Sequence, residues 1–212
     1  MDPNWLSNAY LLADEEGGTA VFIDSGAPME PLHEAAERWN VQPGHVLRTH
    51  GDPDHVAHEA DLGLPVITRA FDAGGLHIDA LPTPGHSADH LAFVVNGELC
   101  FSGDILFKDA VGGGRDVPAI KHSVMQLMEL PHEMRVLPGH TDETTIGREW
   151  EENPFVRYWR GIDDEVGDPC RVAGEEATVV VDSPDYDGKG KLLVRLGDGR
   201  EAILGGSRIT RP

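Results

Sequence analysis

The 212-residue chain predicts an α/β domain followed by a small all-β tail, and two observations carry that expectation. From Thr19 to about residue 160, short apolar runs alternate with helix-period segments, the texture of a layered α/β unit. From about residue 168 the helical period stops, and β-type runs separated by Asp-Gly turns take over. The main domain is therefore placed at residues 1–165 and the β subdomain at 168–212. At this length, with 40% hydrophobic residues, the chain can bury a substantial core.

The elements follow in order. Thr19–Asp24 (TAVFID) is an apolar run ending before Gly26, and reads as a strand. In PLHEAAERW, Leu32, Ala35, Ala36 and Trp39 fall at helical spacing, and Asn40 and Pro43 stop the helix. HVLRT and PVITRA read as buried strands. HLAFVVNGELCFSGD reads as a hairpin with Asn96-Gly97 as its two-residue turn. AIKHSVMQLMEL puts Ile120, Val124, Leu127 and Met128 on one helix face, and MRVLPGH is a last strand running into a turn. The tail has turns at Asp187-Gly188 and Asp198-Gly199. Its Asp182, Asp185 and Asp187 lack the glycine and distal glutamate of a calcium loop, and read as a solvated turn.

Composition excludes several classes. The net charge of −20 opposes association with nucleic acid or anionic membranes, both of which the long-range field repels. No apolar run reaches the roughly 18 residues of a membrane span. The opening Met-Asp-Pro-Asn-Trp lacks the basic and apolar regions of a signal peptide. Cys100 and Cys170 lie far apart without CxxC spacing, against a disulfide framework or a cysteine metal site. The expectation is a cytoplasmic protein acting on a small molecule.

The chemistry-bearing residues gather at strand ends. RTHGDPDH places His50, Asp52, Asp54 and His55 within six positions after an apolar run. Three further runs end in TPGH, FSGD and LPGH, delivering His86, Asp104 and His140. A lone histidine after a strand is ordinarily an exposed or satisfied side chain. Seven such groups at the edge where an α/β sheet collects its functional residues are another matter. Without cations, the carboxylates among them would repel one another in a partly dry cleft. Two divalent ions resolve that conflict, and imidazole with carboxylate suits zinc, iron or manganese. His58 and His90 read as supporting or structural residues, and His33, His45, His77, His122 and His132 as surface or packing residues.

Taken in order, THGDPDH, TPGHS, FSGDILF and LPGH resemble the metallo-β-lactamase fold, and within it the glyoxalase II-like hydrolases. The resemblance spans most of residues 4–160. It implies a four-layer αβ/βα sandwich with the site on one edge of its two sheets. It implies that His50, Asp52 and His86 hold a first metal and that Asp54, His55 and His140 hold a second. Asp104 would bridge them, Asp24 would support the ligands from behind, and Asp54 and Asp104 would be the catalytic carboxylates. The implied reaction is hydrolysis of a small ester, thioester or lactone by a hydroxide held between two metals, with zinc expected and iron or manganese as alternatives.

Three departures from the family pattern stand out. T-H-x-H-x-D-H has become T-H-x-D-x-D-H, with Asp52 in the position of a histidine. Thr141-Asp142 follows the last Gly-His where the glutathione-thioester enzymes carry a tyrosine. The loop FKDAVGGGRDVP offers Lys108 and Arg115 as clamps for a substrate carboxylate, and its three glycines read as a flap. Two alternatives stay open: an iron-dependent redox enzyme of the persulfide dioxygenase type, and a non-catalytic member with an impaired metal site.

Overall fold

A computed structural model describes residues 5–211. Met1–Asn4, read above for leader character, lie outside them. Strands β1 (Tyr10–Ala13), β2 (Thr19–Ile23), β3 (Gln42–Leu47) and β4 (Val66–Ile67) form a four-stranded sheet in that order. Helices α1 (Glu30–Arg38), α2 (Pro53–Val56) and α3 (Glu59–Leu62) lie between them in sequence. β2, β3 and β4 run parallel, so β2 and β3 end on the same edge.

The second sheet comprises β5 (Phe71–Ala73), β6 (Leu76–Pro82), β7 (Leu91–Val95) and β8 (Leu99–Gly103). Beyond a small hairpin, β9 (Leu106–Phe107) with β10 (Ala110–Val111), and helix α4 (Val117–Leu127), the sheet adds β11 (Arg135–Pro138) and β12 (Thr144–Thr145). Its order is β12-β11-β8-β7-β6-β5. Between β7 and β8, Asn96 and Gly97 both have positive φ (52° and 68°), the twist-compatible hairpin turn expected of Asn-Gly. The β5–β6 hairpin went unread in the sequence, although β6 alternates buried Leu76 and Ile78 with exposed His77 and Asp79. β6 and β8 are each antiparallel to β7, and β8 is parallel to β11, so β6, β8 and β11 share one direction.

Side-chain alternation builds the layers. Val21, Ile23 and Leu47 of the first sheet pack with Ile78, Phe93, Val95 and Phe101 of the second, forming the inner core. On the opposite face of the first sheet, Ala20 packs with Ala36 of α1, and Phe22 with Val46 and the partly buried Leu32. Ala92, Val94, Cys100 and Val136 face outward from the second sheet onto Ile120, Val124 and Leu127 of α4. Phe155 and Val156 join them from α6 (Pro154–Trp159), which follows α5 (Ile146–Glu152). The result is the four-layer αβ/βα sandwich expected from the motifs. Cys100 is core, and burial pushes its thiol up to about 12.

Residues from Asp168 onward form a third, antiparallel sheet: β13 (Asp168–Val172), β14 (Glu175–Ser183), β15 (Lys191–Leu196), β16 (Glu201–Gly205) and β17 (Ile209–Thr210). One face has its own cluster, with Val179, Leu192 and Val194. The other sends Val180, Val181, Leu193 and Ile203 into the main core beside α4 and α6. Among the described residues, no helix is long and apolar enough to cross a membrane.

Candidate metal centre

Five strands, β2, β3, β6, β8 and β11, run into turns that carry residues singled out by sequence: Asp24, His50, His86, Asp104 and His140. Glycine makes the crowding possible. A Cβ on Gly139 would lie 2.2 Å from Asp104 Oδ1 and 2.6 Å from His55 Cε1. One on Gly26 would lie 1.5 Å from the Asp54 carbonyl oxygen, so Gly26 admits α2, the single turn that carries Asp54 and His55.

The seven expected ligands converge. His50, Asp52 and His86 form one group, Asp54, His55 and His140 a second, and Asp104 joins His50 and His55 in a third that links the two. His140 Nε2 lies 3.4 Å from Asp54 Oδ2 and 3.3 Å from Asp104 Oδ2. His86 Nε2 lies 3.3 Å from Asp52 Oδ2 and 3.8 Å from Asp104 Oδ2. Asp52 precedes α2 and makes no capping bond, which leaves its half-exposed carboxylate facing His86 and, at 3.8 Å, His50.

Every histidine in the cluster has its Nδ1 occupied from behind. His55 Nδ1 donates to Asp24 Oδ2 (2.8 Å), His140 Nδ1 to the Leu6 carbonyl (2.9 Å) and His86 Nδ1 to the Gly113 carbonyl (2.8 Å). The Thr49 hydroxyl donates to Asp24 Oδ2 (2.8 Å) and accepts from His50 Nδ1 (3.0 Å). This network assigns the Nε2 lone pairs to the interior, the arrangement by which proteins orient metal-binding imidazoles. Asp24 thus aims two of the four rings.

In the metal-free cluster protons take the place of cations. Burial opposes charge on His55, but the carboxylates of Asp104 and Asp24 outweigh it and hold its pKa up to about 11. Burial likewise opposes charge on His140, and Asp104 and Asp54 raise it to about 9. Asp104, despite its burial, is held well below the usual carboxylate range by His140 and His55. His90, behind Asp104, is pushed down to about 3 by burial; its neutral ring accepts the Asp104 backbone N–H at 2.9 Å.

The donor set fits divalent cations on a specific observation. His50 Nε2, His55 Nε2 and Asp104 Oδ1 are fully buried and have no hydrogen-bond partner. His55 Nε2 and Asp104 Oδ1 stand 3.2 Å apart without hydrogen-bond alignment, both facing the same space. Leaving three such atoms unsatisfied costs about 1–3 kcal/mol each. Cations between them remove that cost, using ligands suited to zinc, iron or manganese.

The remaining candidates fall out differently. Lys108 lines a cavity of about 350 Å³ with Leu6, Thr141, Asp142 and Tyr186, its Nζ 3.5 Å from Asp142. Arg115 is exposed, and no hydrogen bond or ion pair ties it to the cluster. The glycine stretch read as a flap is pinned instead. Gly112 packs on the Asp104 carbonyl, Gly113 receives His86, and Gly114 exchanges backbone hydrogen bonds with Ile203 of β16. Sequence reasoning missed Thr49, Leu6 and Tyr186. Thr49 adjoins His50 and could have been flagged; the other two carry no local signal.

A sandwich with a His/Asp cluster along one edge of two stacked sheets defines a metal-centre protein of the α/β class. No protein-family model matches the chain. It is 35% identical over 196 residues to the probable metallo-hydrolase YqgX of Bacillus subtilis, covering 71% of this chain and 92% of that protein. It is 33% identical over 158 residues to the hydroxyacylglutathione hydrolase of Rhizobium meliloti, covering 61% and 60%. Among solved structures, the BLEG-1 B3 metallo-β-lactamase matches with TM-score 0.64 and 25% identity, over 71% of this chain and 94% of that one. ETHE1 from Myxococcus xanthus matches with TM-score 0.63 and 26% identity, over 74% and 82%. The di-iron-bound TTHA1623 matches with TM-score 0.60 and 30% identity, over 73% and 98%. The chain belongs to the metallo-β-lactamase superfamily.

Proposed function

We propose that this protein is a cytoplasmic, dinuclear metal-dependent hydrolase of a small ester, thioester or lactone. The observation that carries the reading is the set of unpartnered, buried ligand atoms at the meeting point of five strand ends. His50, Asp52 and His86 would hold one cation, and Asp54, His55 and His140 the other, with Asp104 shared. Two divalent cations held there would supply Lewis acidity toward a carbonyl and would make water acidic enough to react near neutral pH. The chain's own residues do the rest. Asp24 and Thr49 hold the His50 and His55 rings in place, and His90 anchors Asp104 from behind. Burial would raise the Asp54 carboxyl, but His140 outweighs it and lowers the pKa. Asp54 therefore stays ionised at neutral pH and can accept a proton from attacking water. Lys108, which lines the cavity with Thr141 and Tyr186, would meet a substrate carboxylate.

The relation to hydroxyacylglutathione hydrolase supports a thioester among the substrates. The position after His140 is threonine, so a glutathione moiety has no tyrosine to meet there.

A second reading, an iron-dependent redox enzyme, is favoured by the carboxylate at Asp52 and by the likeness to ETHE1 and to a di-iron protein. Metal analysis of protein purified without chelators, followed by an ester, thioester and lactone panel beside oxygen-uptake assays with persulfide, separates the two. Hydrolysis lost in both His55→Ala and Asp104→Ala, together with bound metal, is the expected result. Full metal content and activity in both variants would overturn the assignment.

A further inference from the structure

The loop between β14 and β15 reaches back to the strand edge of the main domain. Its Tyr186 ring lies flat on the His140 imidazole, with centroids 4.2 Å apart and planes within 8°. Phe107 meets the same imidazole edge-on at 5.5 Å and Tyr186 at 6.1 Å, so two aromatic rings box His140. The loop is firmly anchored. Asp185 and Lys191, both almost fully buried, pair at 3.1 Å, and the Lys191 ammonium lies 5.2 Å from the Tyr186 ring centroid and 5.8 Å from that of Phe107. Below the loop, Val180, Val181 and Leu193 are rooted in the main core. The Tyr186 ring itself is partly buried in this box. Its hydroxyl has no hydrogen-bond partner among the described residues, so nothing in the stack depends on it.

We infer that Tyr186 is a positioning residue for His140, and that the C-terminal sheet thereby completes the metal centre. The Leu6 carbonyl holds the imidazole through one hydrogen bond at Nδ1, and a single bond of this kind tolerates tilting of the ring plane. A flat ring 4.2 Å away closes that freedom and keeps Nε2 aimed between Asp54 and Asp104. The aromatic face does this work, not the hydroxyl. The inference rests on His140 being a ligand, as proposed above, but needs no assumption about substrate.

The test is metal competition against a chromophoric chelator, without substrate, on the full-length protein. Removing a residue that orients a ligand typically weakens metal binding about 10–100-fold. Tyr186→Ala should show that loss in the equivalent held by His140, while Tyr186→Phe keeps wild-type affinity. Val194→Ala, buried on the far face of the sheet, controls for general destabilisation and should bind as wild type. The metal-free protein gives a second readout. Ring-current shielding should move the His140 imidazole proton resonances upfield in wild type and Tyr186→Phe, and not in Tyr186→Ala. Unchanged affinity and unchanged His140 resonances in a folded Tyr186→Ala protein would overturn the inference. Absence of hydrolase activity alone would count against the proposed function and leave these readouts intact.

Discussion

The Asp24 carboxylate receives the Nδ1–H of His55 at 2.8 Å from a backbone held at φ +53°, in the left-handed region. The same side chain accepts the Thr49 amide and hydroxyl, both at 2.8 Å. One buried carboxylate therefore sets the orientation of His55 directly and of His50 through Thr49. Asparagine tolerates the left-handed backbone, so Asp24→Asn tests the charge without adding strain. We expect metal affinity about 10–100-fold weaker in chelator competition, with an unchanged circular dichroism spectrum. Wild-type affinity would show that Asp24 merely closes a turn.

Asp52 separates the chain from the usual pattern. Its carboxylate lies 3.3 Å from His86 Nε2 and shares a potential site with His86 and His50. If it coordinates, oxygen in place of nitrogen shifts preference toward harder metals such as manganese or ferrous iron. Asp52→Ala should lose one metal equivalent, and Asp52→His should keep two and gain relative affinity for zinc. Metal analysis of Asp52→Ala that still finds every equivalent would refute a ligand role.

Metal loading should release protons. In the metal-free protein His55 (about 11) and His140 (about 9) carry protons at pH 7, whereas a metal requires neutral imidazole. Calorimetric titration in buffers of different ionisation enthalpy should register about two protons released at this pair of ligands. Apparent metal affinity should strengthen as pH rises towards 9. The stability of the metal-free protein should move the other way. Both pKa values lie above the ordinary histidine value of 6.5, so the stabilisation is complete below that pH. It is lost as pH climbs first through about 9 and then through about 11. The chelated protein should thus lose Tm between pH 7 and 10, and a Tm that rises over that interval would contradict the pairing.

Gly139 is a steric requirement of the site. A methyl there would occupy the space of Asp104 Oδ1 and His55 Cε1. Gly139→Ala should abolish metal binding and lower Tm, because the nearest atoms belong to buried ligands that have nowhere to retreat. Gly51→Ala, with open space around its Cβ, is the matched control. Metal analysis and thermal melts of the two variants decide the point.

Removing residues 168–212 should cost the fold as well as the loop. Val180, Val181, Leu193 and Ile203 are all buried in the cluster shared with α4 and α6. At roughly 1.5–3 kcal/mol for each buried side chain, their loss approaches the whole stability of a typical domain, about 5–15 kcal/mol. The truncated chain should be aggregated or molten, as judged by dye binding and near-ultraviolet circular dichroism. A soluble, cooperatively melting fragment would show that the sheet is dispensable for folding.

Several strands of the two main sheets, the Asn96-Gly97 turn and the four ligand-bearing turns were legible from residues alone. Each depends on local physics: apolar runs long enough for a strand, then glycine or proline where the backbone must bend. Convergence of His50, Asp52, Asp54, His55, His86, Asp104 and His140 could likewise be expected, since parallel strands deliver their ends to one edge. Tertiary structure decided what stands behind and beside those ligands. The Leu6 carbonyl, 134 residues before His140, fixes that ring through a main-chain atom that every residue possesses. Gly112–Gly114, which read as a flap, are held by Asp104, His86 and Ile203. Tyr186, in a segment that reads as a solvated turn, reaches His140 only because the C-terminal sheet docks on α4 and α6. Backbone acceptors and ring stacking leave no periodic trace in a sequence, so such contacts exist only once the layers have packed.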